Sequence, residues 1–205
     1  VCSSDLKKAC EITDKCFKHL LKYITKGMTE KQVAREIERF IKNNGGDDIA
    51  FSPIVASGEN SSKPHAVPTD RKIKSGDIIL LDFGAKYNGY CADMTRTIFM
   101  DYIPEEIKPY YDIILKNEND ALNECIENNN IKTIVKMVEN SLKSYNFDLI
   151  HALGHGVGME VHEIPVLSSK FDKPLKENMV IAIEPGLYIP GKFGIRIEDT
   201  VAITK

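Results

Sequence analysis

The stretch from Ile78 to Thr97 constrains this chain most. Ile78-Ile79-Leu80-Leu81 is an apolar run suited to a core strand, and Asp82 closes it. Burying an unpaired carboxylate costs far more than burying an aliphatic side chain gains, so Asp82 requires compensation. Asn88-Gly89 is a hairpin-turn dipeptide. Any even-length loop there places Asp82 and Asp93 on one sheet face, directly or diagonally opposed. Either aspartate alone reads as a turn or capping residue. Held together, the two anions call for a cation, and the expectation is a hard-metal site with further ligands elsewhere.

A second pair follows the same pattern. Glu184 closes the apolar run Val180-Ile181-Ala182-Ile183, and Glu198 lies in Gly194-Ile195-Arg196-Ile197-Glu198-Asp199. If these segments pair about a loop centred on Gly191, Glu184 and Glu198 share a face and Arg196 joins them. Four inward carboxylates need at least two positive charges. Two divalent cations sharing a bridging carboxylate satisfy them, whereas Arg196 alone does not. Arg196 also reads as an ion-pair partner, and Tyr188 as a packing residue.

Between the pairs, residues 151–163 hold three of the five histidines, His151, His155 and His162, interleaved with Gly154, Gly156 and Gly158. The glycines argue against a zinc-binding H-E-x-x-H helix, and its glutamate is missing. A bent ribbon could aim each imidazole separately, one at a metal and the others at a substrate oxygen. His65, after the polar loop 57–64, reads on its own as a loop histidine, and His19 as a helix-surface residue.

The rest of the chain supplies a frame. Residues 4–24 and a capped segment starting at Thr29 and ending at Gly45-Gly46 have helical apolar spacing. Strands are expected over residues 49–56, up to Ala85, from the Asn88-Gly89 turn through Phe99, over 179–184 and over 194–203. Two further helices are expected, one opened by Pro104 with Tyr111, Ile114, Leu115, Ala121, Leu122 and Cys125 on its apolar face, the other over residues 131–145. The order helix, helix, strands therefore occurs twice, which suggests two halves closing on a shared site. At 205 residues and 42% hydrophobic content, a buried core is expected. With 27 basic against 30 acidic residues, the net charge of -3 makes no electrostatic case for nucleic acid or an anionic membrane. Five cysteines without C-x-x-C indicate neither a disulfide framework nor a thiolate zinc site, and fit a cytoplasmic setting. The chain begins at Val1 without an initiator methionine, so a fragment or processed form of a longer protein is expected.

The ordered motifs Pro64-His65, Leu81-Asp82-Phe83-Gly84, Ala92-Asp93-Met94-Thr95-Arg96-Thr97, Gly154-His155-Gly156-Val157-Gly158, Val161-His162-Glu163, Ile183-Glu184-Pro185-Gly186 and Arg196-Ile197-Glu198-Asp199 span nearly the whole chain. In them the sequence resembles the pita-bread metallopeptidases, which include methionine aminopeptidase, proline-specific aminopeptidase, prolidase and creatinase. Met94-Thr95-Arg96-Thr97 and Glu184-Pro185-Gly186-Leu187-Tyr188 are most similar to the proline-specific branch. The resemblance implies an α+β pita-bread fold, two pseudo-repeated halves with antiparallel sheet around a dinuclear site. It carries metal ligation onto Asp82, Asp93, His155, Glu184 and Glu198, with Asp93 and Glu198 as bridges. His65 and His162 match substrate-handling positions, and His151, Arg196 and Tyr188 match substrate-side or supporting ones.

The implied activity is hydrolysis of the bond between an N-terminal residue and a following proline, as an Xaa-Pro aminopeptidase or dipeptidase. Two divalent ions, manganese first and cobalt or zinc as alternatives, would bridge a water and lower its pKa towards about 7. Glu184 would shuttle the proton, and His162 or His65 would stabilise the oxyanion. The partner expected is a peptide with proline second, and a homodimer is an open option. A methionine aminopeptidase-like enzyme and a non-catalytic peptide-binding module are the alternatives. Residues 1–205 read as one catalytic domain, without the N-terminal domain that proline-specific relatives commonly carry.

Overall fold

The structure is a computed structural model that describes residues 4–204. Helix α1, Ser4–Tyr23, buries Leu6, Ala9, Ile12, Cys16 and Leu20, the stripe its spacing predicts. Helix α2, Glu30–Asn43, starts with a complete capping box between Thr29 and Gln32 and buries Val33, Ile37 and Ile41. His19 departs from the surface position expected of it. Its Nε2 lies 2.6 Å from Glu36 on α2, and its ring stacks on Phe40. The imidazole thus joins the two helices.

The first half continues as β1 (Asp48–Ile49), β2 (Ile54–Ser57), a 3-10 turn (Gly58–Ser62), β3 (Ile78–Asp82), β4 (Ala85–Tyr87), β5 (Tyr90–Cys91) and β6 (Thr95–Phe99). The strand expected over 49–56 is two pieces, because β1 pairs with β4 while β2 pairs with β3. Asn88 and Gly89 both adopt positive φ, as a two-residue hairpin turn demands. From that turn one register runs outward, Tyr87 opposite Tyr90, Lys86 opposite Cys91 and, past an interruption, Asp82 opposite Thr95. Asp82 and Asp93 are therefore diagonal on one face.

The second half opens with α3 (Lys108–Asn123) and α4 (Ile131–Ser144). Helix α3 begins four residues later than expected. The Pro104 carbonyl accepts from Ile107 and Lys108 N–H in a turn, and Pro109 occupies the first helical turn instead. Leu115 turns outward, while Asn117 and Glu118 take buried places beside Ile114 and Ala121. The strands are β7 (Gly154–Gly156), β8 (Glu163–Leu167), β9 (Val180–Ile183), β10 (Gly186–Ile189), β11 (Phe193–Arg196) and β12 (Asp199–Ala202). The expected strand over 194–203 is broken at Ile197-Glu198, and β7, β8 and β10 lie outside the expected strands.

Here too one register spans an interrupted hairpin. Ile189 faces Phe193, Gly186 faces Arg196, and beyond the break Ile183 faces Asp199, all centred on Gly191. Glu184 and Glu198 occupy matching positions in the break. The sheets β2-β3-β6 and β7-β9-β12 thus repeat one antiparallel plan, with β8 added at an edge of the second. One apolar core lies beneath β3 and the α1-α2 pair, including Ile37, Ile79, Leu81 and Phe83. Another lies beneath α3 and α4, including Ile114, Val138, Ile181 and Ile195. Among the described residues no helix is long and apolar enough to cross a membrane.

Candidate metal centre

The two hairpins meet along β6 and residues 196–200. Thr97 Oγ1 donates to the Arg196 carbonyl at 2.8 Å and receives its N–H at 3.2 Å. Thr200 Oγ1 donates to the Asp93 carbonyl at 2.8 Å. Arg96 bonds the Glu198 carbonyl and the Asp199 carboxylate. These bonds set the interrupted stretches of both hairpins against one another, and every predicted ligand stands there or on β7.

Asp93, His155 and Glu198 present donor atoms within 4.8 Å of one another, all buried. His155 Nε2 is 3.6 Å from Asp93 and 3.7 Å from Glu184. The ring's orientation follows from its other nitrogen, which lies 3.0 Å from the Gly156 carbonyl. A carbonyl only accepts, so Nδ1 carries the proton and Nε2 keeps its lone pair for the cluster. Gly154 lets this strand approach β9, since a Cβ there would stand 1.9 Å from the Ala182 carbonyl oxygen. Asp82 completes the group with Glu184, its Oδ2 accepting from Arg196 Nη2 at 2.5 Å. Asp82, Asp93, Glu184 and Glu198 line one cavity of about 160 Å³.

Burial dominates the electrostatics. It pushes Asp93 and Glu198 well above the ordinary carboxylate range, and the neighbouring acids push the same way. It raises Asp82 against the pull of Arg196, and lifts Glu184 to about 7. Burial also lowers His155, and it takes His151 down to about 4, so the His151 ring is neutral.

Arg196 is 2% exposed and shared out fully: Nη2 to Asp82, Nε to Thr95 Oγ1 at 3.1 Å, Nη1 to Tyr188 at 2.7 Å and the Pro64 carbonyl at 3.2 Å. Tyr188 does more than pack. His151 Nδ1 faces the Ala152 carbonyl at 2.7 Å, so Nε2 is an acceptor, and the Tyr188 hydroxyl donates to it at 3.0 Å. His65 and His162 are exposed and line the cavity mouth, with the His162 ring centroid 4.3 Å from that of His155. From there a wider cleft runs outward past Ala152, Glu163, Ile164 and Val166.

The metallopeptidase family M24 model matches residues 4–205. The chain belongs to metallopeptidase family M24. It is 42% identical over 202 residues to the Xaa-Pro dipeptidase of Pyrococcus furiosus, covering 98% of this chain and 58% of that protein. Among solved structures, prolidase from Pyrococcus furiosus superposes with TM-score 0.94 at 42% identity, covering 98% of this chain and 60% of that one. The X-Pro aminopeptidase from Thermotoga maritima gives TM-score 0.94 at 38% identity, with 97% and 57% covered. This M24 chain therefore has the α+β pita-bread fold and spans under two thirds of those relatives' length.

M24 metallopeptidases bind divalent metal, and the donors present fit such an ion. Asp82 Oδ1 and Asp93 Oδ1 are buried without a hydrogen-bond partner, a costly state that a cation relieves. Oxygen donors with one imidazole suit a hard or borderline divalent ion. Two participants went unseen in the sequence. Thr95, quoted only as part of a motif, donates from Oγ1 to Glu198 Oε2 at 2.6 Å. Glu118 lies buried on α3 near Asp199 and Arg96, and only its misfit with an apolar helix face could have flagged it.

Proposed function

We propose that this chain carries the catalytic site of a dinuclear metal-dependent exopeptidase that cleaves the bond between an N-terminal residue and a following proline. The observation that carries the reading is the convergence of Asp82, Asp93, His155, Glu184 and Glu198 on one cavity whose mouth holds His65 and His162. Relatives named Xaa-Pro dipeptidase and X-Pro aminopeptidase support the substrate class. The oxygen-rich donor set favours manganese, which Asp82, Asp93, His155, Glu184 and Glu198 would hold. Five cysteines without a C-x-x-C spacing support a reduced, cytoplasmic setting.

Divalent cations held by these five residues would supply Lewis acidity at a scissile carbonyl and acidify water. The protein's own groups do the rest. Acidic side chains in the cavity favour a substrate's free N-terminal ammonium, which places the first peptide bond at the cluster. Glu184, largely buried with its pKa lifted to about 7, can take a proton from water and return it to the leaving imino nitrogen of proline. His162 and His65 stand where they can hydrogen-bond the developing oxyanion.

The test is an assay of manganese-loaded protein against Xaa-Pro dipeptides, longer Xaa-Pro peptides and Met-Ala peptides, with metal stoichiometry measured in parallel. Turnover confined to Xaa-Pro substrates with two ions bound is expected. Metal binding without turnover of any peptide overturns the proposal.

A further inference from the structure

Glu30 looks from the sequence like an ordinary first-turn acid of a capped helix. In the structure it is completely buried, and its carboxylate gathers donors from well beyond α2. Oε1 accepts from the Ser57 N–H at 2.7 Å and from Ser57 Oγ at 2.8 Å. Oε2 accepts from the Thr69 N–H at 2.9 Å and from Thr69 Oγ1 at 2.6 Å. Asn60 Nδ2 spans both oxygens at 3.2 and 3.1 Å. One carboxylate thus ties together the two ends of segment 57–69.

That segment carries His65, and its middle is fastened to the second half. Arg196 Nη1 donates to the Pro64 carbonyl at 3.2 Å, and Gly194 N–H donates to Ser61 Oγ at 2.8 Å. Two further bonds reinforce the Glu30 end. Lys31 N–H donates to the Thr69 carbonyl at 3.1 Å, and Arg71 Nη1 donates to Ser57 Oγ at 2.8 Å while paired with Asp77. His65 itself is exposed, so the backbone beneath it sets where the imidazole stands.

We propose that Glu30 is a positioning residue for His65: by clamping both ends of segment 57–69 it holds that imidazole at the mouth of the metal centre. The inference rests on the proposed function in that His65 meets the substrate. An ionised carboxylate is required at position 30 because five donor groups converge on its two oxygens, and both oxygens must accept. An amide of equal size would turn one oxygen into a donor facing N–H groups, opening one end of the clamp and leaving the five metal-site residues untouched.

The experiment is a double-mutant cycle between Glu30→Gln and His65→Ala in manganese-loaded protein. Glu30→Gln is expected to lower kcat about tenfold or more with metal stoichiometry unchanged. In the His65→Ala background the same change is expected to cost less than about twofold. In metal-free protein the His65 imidazole resonances should shift or broaden in Glu30→Gln while those of His155 stay in place. An unchanged kcat, an equal loss in both backgrounds, or unmoved His65 resonances each overturn the proposal. Should Glu30→Gln fail to fold, Thr69→Val and Ser57→Ala, each removing one hydroxyl donor, replace it in the same cycle. Should wild type turn over no peptide, the proposed function falls, and the His65 resonances still decide the clamp.

Discussion

Thr95 Oγ1 donates to Glu198 Oε2 at 2.6 Å and accepts from Arg196 Nε at 3.1 Å, so one hydroxyl sits between a proposed ligand and the guanidinium that pairs with another. It lies directly opposite Asp82 in the β3–β6 register. The bond fixes how the Glu198 carboxylate faces the cluster. A supporting bond of this kind fixes the orientation of a metal ligand before the ion arrives.

Thr95→Val keeps the shape and removes the hydroxyl. It leaves Glu198 Oε2 without its donor and Arg196 Nε without its acceptor. Manganese affinity is expected to fall about 10- to 100-fold, and Thr95→Ser to restore it. Isothermal titration of metal-free protein checks both; equal affinity in the valine variant would show that Thr95 does not orient Glu198.

Glu184→Gln retains size and removes the group assigned to proton transfer. Turnover of Xaa-Pro peptides is expected to drop by roughly 10²-fold or more. Thermal unfolding of the metal-free protein should change little near pH 5, where a carboxyl lifted to about 7 is protonated and as uncharged as the amide. Steady-state kinetics beside circular-dichroism melts make the measurement, and an unaltered kcat removes Glu184 from the reaction.

Glu118 gives a pH signature unrelated to catalysis. The carboxylate is buried, and burial, helped by the Asp199 charge and opposed by Arg96 and by the Asp199 backbone N–H, lifts the pKa to about 9 from an ordinary 4.5. Between those values the unfolded chain ionises and the folded one stays protonated, so this group lowers stability progressively as pH rises from about 4.5 to 9. Glu118→Gln removes the term. Its melting temperature should exceed wild type by roughly 3 °C or more at pH 8, equivalent to about 1 kcal/mol in a chain of this size, and match it near pH 4. Parallel curves across that range would contradict the assignment.

Tyr188→Phe breaks the string from Arg196 through Tyr188 to His151. Arg196 Nη1 loses an acceptor and His151 Nε2 loses its donor, both in a buried setting. A loss of about 1–3 kcal/mol in urea unfolding is expected. Tyr188 is held neutral, its pKa pushed up to about 12 by burial, so the loss should be flat between pH 6 and about 9.

Both hairpin registers are visible in the sequence because their turns announce themselves. Asn88, Gly89 and Gly191 supply positive φ where the chain reverses, and counting outward brings Asp82 near Asp93 and Glu184 near Glu198. The interruptions are not visible. A continuous apolar run gives no sign that pairing lapses where the carboxylates gather, which is why one strand was expected where β11 and β12 stand. Gly154-His155-Gly156 has poor strand propensity, and what makes it a strand is the tight backbone approach to β9. Glu30 and Glu118 sit at ordinary helical positions, and their distinction lies wholly in distant parts of the chain.

The repeated hairpin has a consequence for assembly. One half contributes Asp82 and Asp93 to the cavity, the other His155, Glu184 and Glu198, with the connection 100–107 between them. Neither piece owns the whole of the proposed ligand set, so a chain severed in that connection would form a split receptor. Its fragments should rejoin more tightly when manganese is supplied, making the ion a reporter of their reunion.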